Sequence, residues 1–105
     1  MNRRRSVHFY PAAEVELRDA VAYYNEQCAG LGFEFAAEIR KTLDRILRFP
    51  SAWTKFSPRT RRCLTNRFPY AVIFQYNDTD IFIVAVMHLN QEPNSWRDNL
   101  SGNIR

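Results

Sequence analysis

Seven consecutive apolar residues at 81–87 (IFIVAVM), closed by His88, constrain the fold more than any other stretch. A strand with no polar position must be covered on both faces, which places it in the middle of a sheet and requires another part of the chain to lie over it. The segment just before it, 70–76 (YAVIFQY), is β-branched and aromatic and is opened by Pro69. Between the two lies Asn77-Asp78-Thr79-Asp80, a polar cluster of the kind that joins neighbouring antiparallel strands. A third strand signal, 61–66 (RRCLTN), alternates so that Arg62, Leu64 and Asn66 share one face and Arg61, Cys63 and Thr65 the other. Together these segments predict a three-stranded antiparallel meander.

The cover comes from the first half of the chain. Residues 6–10 (SVHFY) alternate, Val7 and Phe9 against His8 and Tyr10, as a short strand suited to a sheet edge. Pro11 ends that strand and starts a helix. Ala13, Leu17, Ala20, Val21, Tyr24 and Cys28 form its apolar stripe, and Ala29-Gly30 closes it. Residues 33–49 predict a second helix, with Phe35, Ile39, Leu43, Ile46 and Leu47 on one face and Glu38, Lys41, Asp44, Arg45 and Arg48 elsewhere. Asp44 and Arg48 stand four apart in the order that favours an ion pair, and Pro50 ends the helix. So short a connection makes the two helices an antiparallel hairpin. Residues 51–60 read as an ordered loop pinned by Trp53, Phe56 and Pro58, and Ser95 is expected to cap one short C-terminal helical turn, followed by a loose SGNIR. The fold class is therefore α+β: an N-terminal strand, a helical hairpin, and an antiparallel sheet completed by the meander.

The 105 residues suit one domain spanning 1–105, and 46 % hydrophobic residues with three glycines exclude a disordered chain. Fifteen basic against eleven acidic residues give +4, compatible with an acidic or nucleic-acid partner. The arginines after Met1-Asn2 are not followed by an apolar segment, and no stretch approaches the roughly 20 apolar residues of a membrane span. Cys28 and Cys63 form no CxxC and read as two buried or half-buried free thiols of a cytoplasmic protein.

Polar constellations are few. Arg59, Arg61, Arg62 and Arg67 fall within nine residues, and arginine's planar fork suits phosphate oxygens. From charge alone the cluster reads rather as a solvated basic edge that keeps the sheet from aggregating. His8 and His88, with no carboxylate at matching spacing, give no metal site, and no cofactor motif is present. Trp53, Phe56, Tyr70 and Trp96 are of the type that stacks on bases, yet in a small domain such residues belong to the core.

Across residues 7–96 the order of elements resembles the RelE/ParE toxin superfamily. The residues that carry the likeness are Tyr10-Pro11 with Glu14 and Ala20; Tyr23-Tyr24; Gly30-Leu31-Gly32 with Phe35 and Glu38; Ile46 with Phe49-Pro50 and Trp53; Arg61-Arg62 with Leu64; Arg67-Phe68-Pro69-Tyr70; and Ala85-Val86 with His88, Pro93 and Trp96. The pattern is more similar to the ParE-like, plasmid-stabilisation branch than to the ribonuclease branch. The resemblance implies the toxin of a type II toxin–antitoxin pair, neutralised by a small antitoxin, and admits a homodimer or a heterotetramer with that antitoxin. Ribonuclease members cut mRNA in the ribosome, whereas ParE-like members bind DNA gyrase and trap its cleaved DNA complex. The target-binding surface so implied comprises Arg61, Arg62, Arg67, Tyr70, His88, Asn90, Gln91 and Trp96, and a ribonuclease would use Arg61, Arg62, Arg67 and His88 as catalytic groups. Two departures bear on the choice: Asn90-Gln91 stands where many relatives carry a basic pair, and Ala71 where ribonuclease members place an arginine. Loss of one electrostatic stabiliser costs about two to three orders of magnitude in rate. Gyrase poisoning is therefore the expected activity, with a ribosome-dependent mRNA endoribonuclease, or an attenuated toxin acting mainly as an antitoxin-binding module, as alternatives.

Overall fold

The structure, a computed structural model, describes residues 4–90. The C-terminal turn expected at Ser95, and the site candidates Gln91 and Trp96, lie outside these residues. The elements run β1 (Ser6–Phe9), α1 (Pro11–Gln27), α2 (Leu31–Arg48), a 3-10 turn (Pro50–Ala52), β2 (Thr54–Ser57), β3 (Thr60–Leu64), β4 (Tyr70–Tyr76) and β5 (Asp80–His88). The five strands form one sheet in the order β1-β5-β4-β3-β2. The α+β class and the helical hairpin are as the sequence predicts.

Two features of the sheet differ from expectation. Residues 51–60 are not a loop throughout, because Thr54–Ser57 pairs antiparallel with β3, Thr54 opposite Arg62 and Lys55 opposite Arg61. The sheet is also mixed rather than antiparallel, since β1 runs parallel to β5 with Val7 opposite Ile81 and Phe9 opposite Ile83. The chain between these two strands holds the helical hairpin and β2–β4, as a parallel neighbour requires a long connection.

β5 is central and carries a bulge. Ile73 faces Ala85 and Phe74 faces Ile83, which leaves Val84 as the extra residue. A bulge lets two successive side chains share a face. Ile81, Ile83 and Val86 thus join Val72, Phe74, Cys63 and the helical residues Ala13, Ala20, Phe35, Ile39 and Ile46 in one cluster. Val84, Ala85 and Met87 join Ala71 and Ile73 in a second, against which Phe56 packs. The apolar run is continuous because both faces are buried and because the bulge removes one alternation. Val86 N–H, next to the bulge, donates to Glu16 of α1 at 3.0 Å.

The helices meet at glycine. Contrary to the expected glycine stop, α1 ends at Gln27 with an extended Cys28 as its C-cap, and Gly30, at φ 87°, is the N-cap of α2, in the left-handed region that glycine adopts without cost. Gly32 N–H donates to Asn25 Oδ1 at 2.7 Å, drawing the first turn of α2 onto α1. The apolar stripe of α2 is rotated from the one predicted: Phe35, Glu38, Ile39, Thr42 and Ile46 are buried, whereas Leu43 and Leu47 are only partly so. Asp44 pairs with Arg4 at 3.5 Å rather than with Arg48. Cys63 is buried, as expected, but Cys28 at the end of α1 is exposed. In the β4–β5 turn, Asn77 Oδ1 accepts the Thr79 and Asp80 N–H groups at 2.9 and 2.8 Å. Hydrogen bonds from Thr79 and from His8, whose Nε2 lies 2.7 Å away, hold the Asp80 carboxyl below its usual range. No helix among the described residues is long and apolar enough to cross a membrane.

Candidate target-binding site

At one end of the sheet β4 begins and β5 ends, and there Tyr70 stands opposite His88. Their rings are 5.1 Å apart, edge to face. Leu89 N–H donates to Pro69 O at 2.9 Å, and Asn90 N–H to His88 Nδ1 at 3.0 Å. Nδ1 therefore accepts, which places the proton of the neutral imidazole on Nε2. Below Tyr70 lie Tyr24, Phe35 and Phe68, with ring centroids 4.7–6.3 Å apart. Burial, with further contributions from Tyr24, Tyr23 and Glu16, pushes the Tyr70 phenol above its ordinary pKa. At neutral pH it is a hydrogen-bond donor and not a base.

The turn at 65–69 that leads into β4 is fastened to α2. Phe68 adopts φ 72°, a conformation that a bulky residue keeps only when its surroundings enforce it. Thr65 Oγ1 donates to Phe68 O at 2.7 Å, and the Tyr70 N–H to the same carbonyl at 3.0 Å. The Glu38 carboxylate, 5 % exposed, accepts the Asn66 N–H at 2.6 Å and the Arg67 N–H at 3.1 Å. Glu34 then accepts from the Arg67 guanidinium at 3.0 Å. Glu38→Gln replaces a charged acceptor by a neutral one, and hydrogen bonds to charged groups are worth about 1.5–3 kcal/mol. A loss of about 1.5 kcal/mol in a urea titration is expected, with faster amide exchange at Asn66 and Arg67.

The arginines do not converge on His88. Arg61 faces the helical side, its Nη1 donating to Trp53 O at 2.7 Å and its guanidinium 5.9 Å from the Tyr76 ring centre. Arg62 faces the other way, over Phe56 at 5.9 Å. Arg67 lies in the 65–69 turn, paired with Glu34 and 5.2 Å from the Phe68 ring centre. The structure thus brings Tyr70, His88 and Asn90 together, sets Arg67 one turn away, and separates Arg61 from Arg62 by the thickness of the sheet. Exposed apolar side chains accompany this end: Tyr23 beside Tyr24 and Leu89 after His88 are 55 % and 47 % exposed, while Leu64, 46 % exposed and opposite Ala71, lies on the other face of the sheet. Such a surface suits a protein partner.

Sequence reasoning did not pick out Glu16 or Glu38 as holding this end in place. Glu38 had a signal, since it stands three residues after Phe35 and four before Thr42 on the face that is buried.

Comparison with known proteins bears on the family and the fold. Residues 7–93 match the family model described as the ParE toxin of type II toxin-antitoxin system, parDE. A chain of the solved "Chromosomal ParDE TA system from P. aeruginosa" superposes with a TM-score of 0.72 at 13 % identity, covering 82 % of this chain and 97 % of that one. At that identity the likeness concerns the fold. No curated protein matches the sequence.

Proposed function

We propose, because this chain belongs to the ParE toxin family of type II toxin–antitoxin systems, that it arrests growth by binding DNA gyrase and trapping the cleaved DNA complex, a reading that makes its site of action cytoplasmic. The observation that carries the choice is the dispersal of the arginines. A ribonuclease needs cations gathered about the scissile phosphate, where each preorganised donor stabilises developing charge. Here Arg61 and Arg62 lie on opposite faces, Arg67 is paired with Glu34, and the residue after Tyr70 is the fully buried Ala71. Tyr70 is held neutral. What remains around His88 is an aromatic and aliphatic surface with polar groups at its margin, which can bind a protein without catalysing a reaction.

The same family assigns the chain a cognate antitoxin. β1 is an edge strand, and beside it Phe9, Leu17 and Val21 line a groove of about 390 Å³ flanked by Glu14 and Arg18. An extended antitoxin segment adding to β1, or an amphipathic helix laid in this groove, fits the available hydrogen bonds and apolar surface. The toxin's net charge of +4 favours an acidic partner.

Purified toxin incubated with gyrase, ATP and supercoiled plasmid should accumulate gyrase-dependent linear DNA, and mRNA in a translating extract should stay intact. Codon-phased cuts in that mRNA, abolished by His88→Ala, would replace this reading with the enzymatic one.

A further inference from the structure

A second surface lies at the opposite end of the sheet. β4 runs seven residues from Tyr70 to Tyr76, or about 20 Å at strand spacing. Where β4 ends and the β2–β3 hairpin turns, an open hollow of about 540 Å³ is lined by Lys55, Arg59, Arg61, Gln75, Tyr76 and Phe82 among others, with no acidic residue in its wall. Lys55, Arg59 and Arg61 form no ion pair among the described residues, whose ion pairs are Arg4–Asp44, His8–Asp80 and Arg67–Glu34. Arg5 adds a fourth cation at this end, 5.6 Å from the Tyr76 ring centre, while Arg61 lies 5.9 Å from the same ring.

We infer that this hollow binds the phosphodiester backbone of a nucleic acid. Three unneutralised cations around one concavity are an electrostatic site for phosphates, and guanidinium forks match their oxygens. An open hollow suits a polymer passing across it better than an enclosed small molecule. An acidic protein segment is the less suitable occupant. Docked peptides gain most of their affinity from apolar anchors, and the aromatic residues of the wall are already engaged: Phe74 is buried, Tyr76 lies under Arg5 and Arg61, and Phe82 stacks on His8. The inference does not rest on gyrase as the target, and its test contains none.

Fluorescein-labelled 20-mers of mixed sequence, as single-stranded DNA, single-stranded RNA and duplex DNA, would be titrated with the full chain between 50 and 200 mM salt. The test variant is Lys55→Ala with Arg59→Ala, two exposed positions. The control is Arg40→Ala with Lys41→Ala on the outer face of α2, an equal loss of charge elsewhere. Binding should weaken at least tenfold in the test variant at 50 mM salt, and the slope of log K against log salt should become shallower by about 1.4–1.8, at about 0.7–0.9 per phosphate contact. The control should change affinity less than threefold. The ranking of the three probes shows which nucleic acid the hollow takes. Absence of binding, equal loss in both variants, or displacement of the oligonucleotide by an equimolar acidic peptide would each overturn the inference. Circular dichroism melts of both variants should match the parent, so loss of fold cannot imitate the expected result.

Discussion

Val84→Asp is expected to abolish the cooperative thermal transition. Val84 is fully buried and is the extra residue of the β5 bulge, packed with Ala71, Ile73, Ala85 and Met87 on the sheet face away from the helices. A carboxylate placed there either ionises without a partner or is protonated at a cost, and changes of this type reach about 5 kcal/mol. Against a total stability of about 5–15 kcal/mol, much of the protein unfolds at 37 °C. Differential scanning calorimetry reads the outcome. A melt that keeps its enthalpy and midpoint would mean that β5 is not central.

Gly32→Ala carries the second largest effect, and its sign opposes helix propensity. Gly32 lies in the first turn of α2, where alanine alone would favour the helix by about 1 kcal/mol. An added Cβ, however, would overlap the Val21 carbonyl oxygen and stand 2.6 Å from Asn25 Cγ. The carbonyl belongs to the α1 backbone and cannot swing aside, so the hairpin must splay and weaken the Asn25–Gly32 hydrogen bond. Overpacking of this kind costs about 1–3 kcal/mol, and with the lost hydrogen bond about 3 kcal/mol is expected in a urea titration. Gly30→Ala separates space from backbone conformation, because nothing lies within 4 Å of its Cβ and only the left-handed φ opposes it. Its loss should be about 1–2 kcal/mol. If Gly32→Ala proves neutral, the helices are not in contact there.

Much of this architecture was legible because period and punctuation are local. Gly30 and Pro50 marked helix ends, Pro69 and the Asn77–Asp80 cluster marked strand ends, and strand alternation separated Arg61 from Arg62. Partnerships across the chain were not legible. The parallel register of Ser6–Phe9 on β5 joins residues about seventy apart, and no local pattern encodes it. β2 went unread because Thr54–Ser57 is short and stands between Trp53 and Pro58, so only its pairing with β3 makes it a strand. The rotation of the α2 stripe has the same origin: Glu38 is buried because the 65–69 turn presents two N–H groups to it, a demand made from outside the helix. At the candidate site, residue types were readable, but Arg67's engagement with Glu34 and the exposure of Leu64 and Leu89 were not.

The parallel pairing of β1 with β5 is also the least local contact in the sheet. β2, β3, β4 and β5 are joined by short turns, so their contacts close small loops, as do those of the helical hairpin. Ser6–Phe9 has no strand to join until Asp80–Ile83 exists, and its pairing joins residues 74 positions apart. Loop-closure entropy therefore makes this the costliest pairing of the sheet to form. The groove lined by Phe9, Leu17 and Val21 is complete only when β1 is in place, so its shape depends on the least local pairing of the sheet.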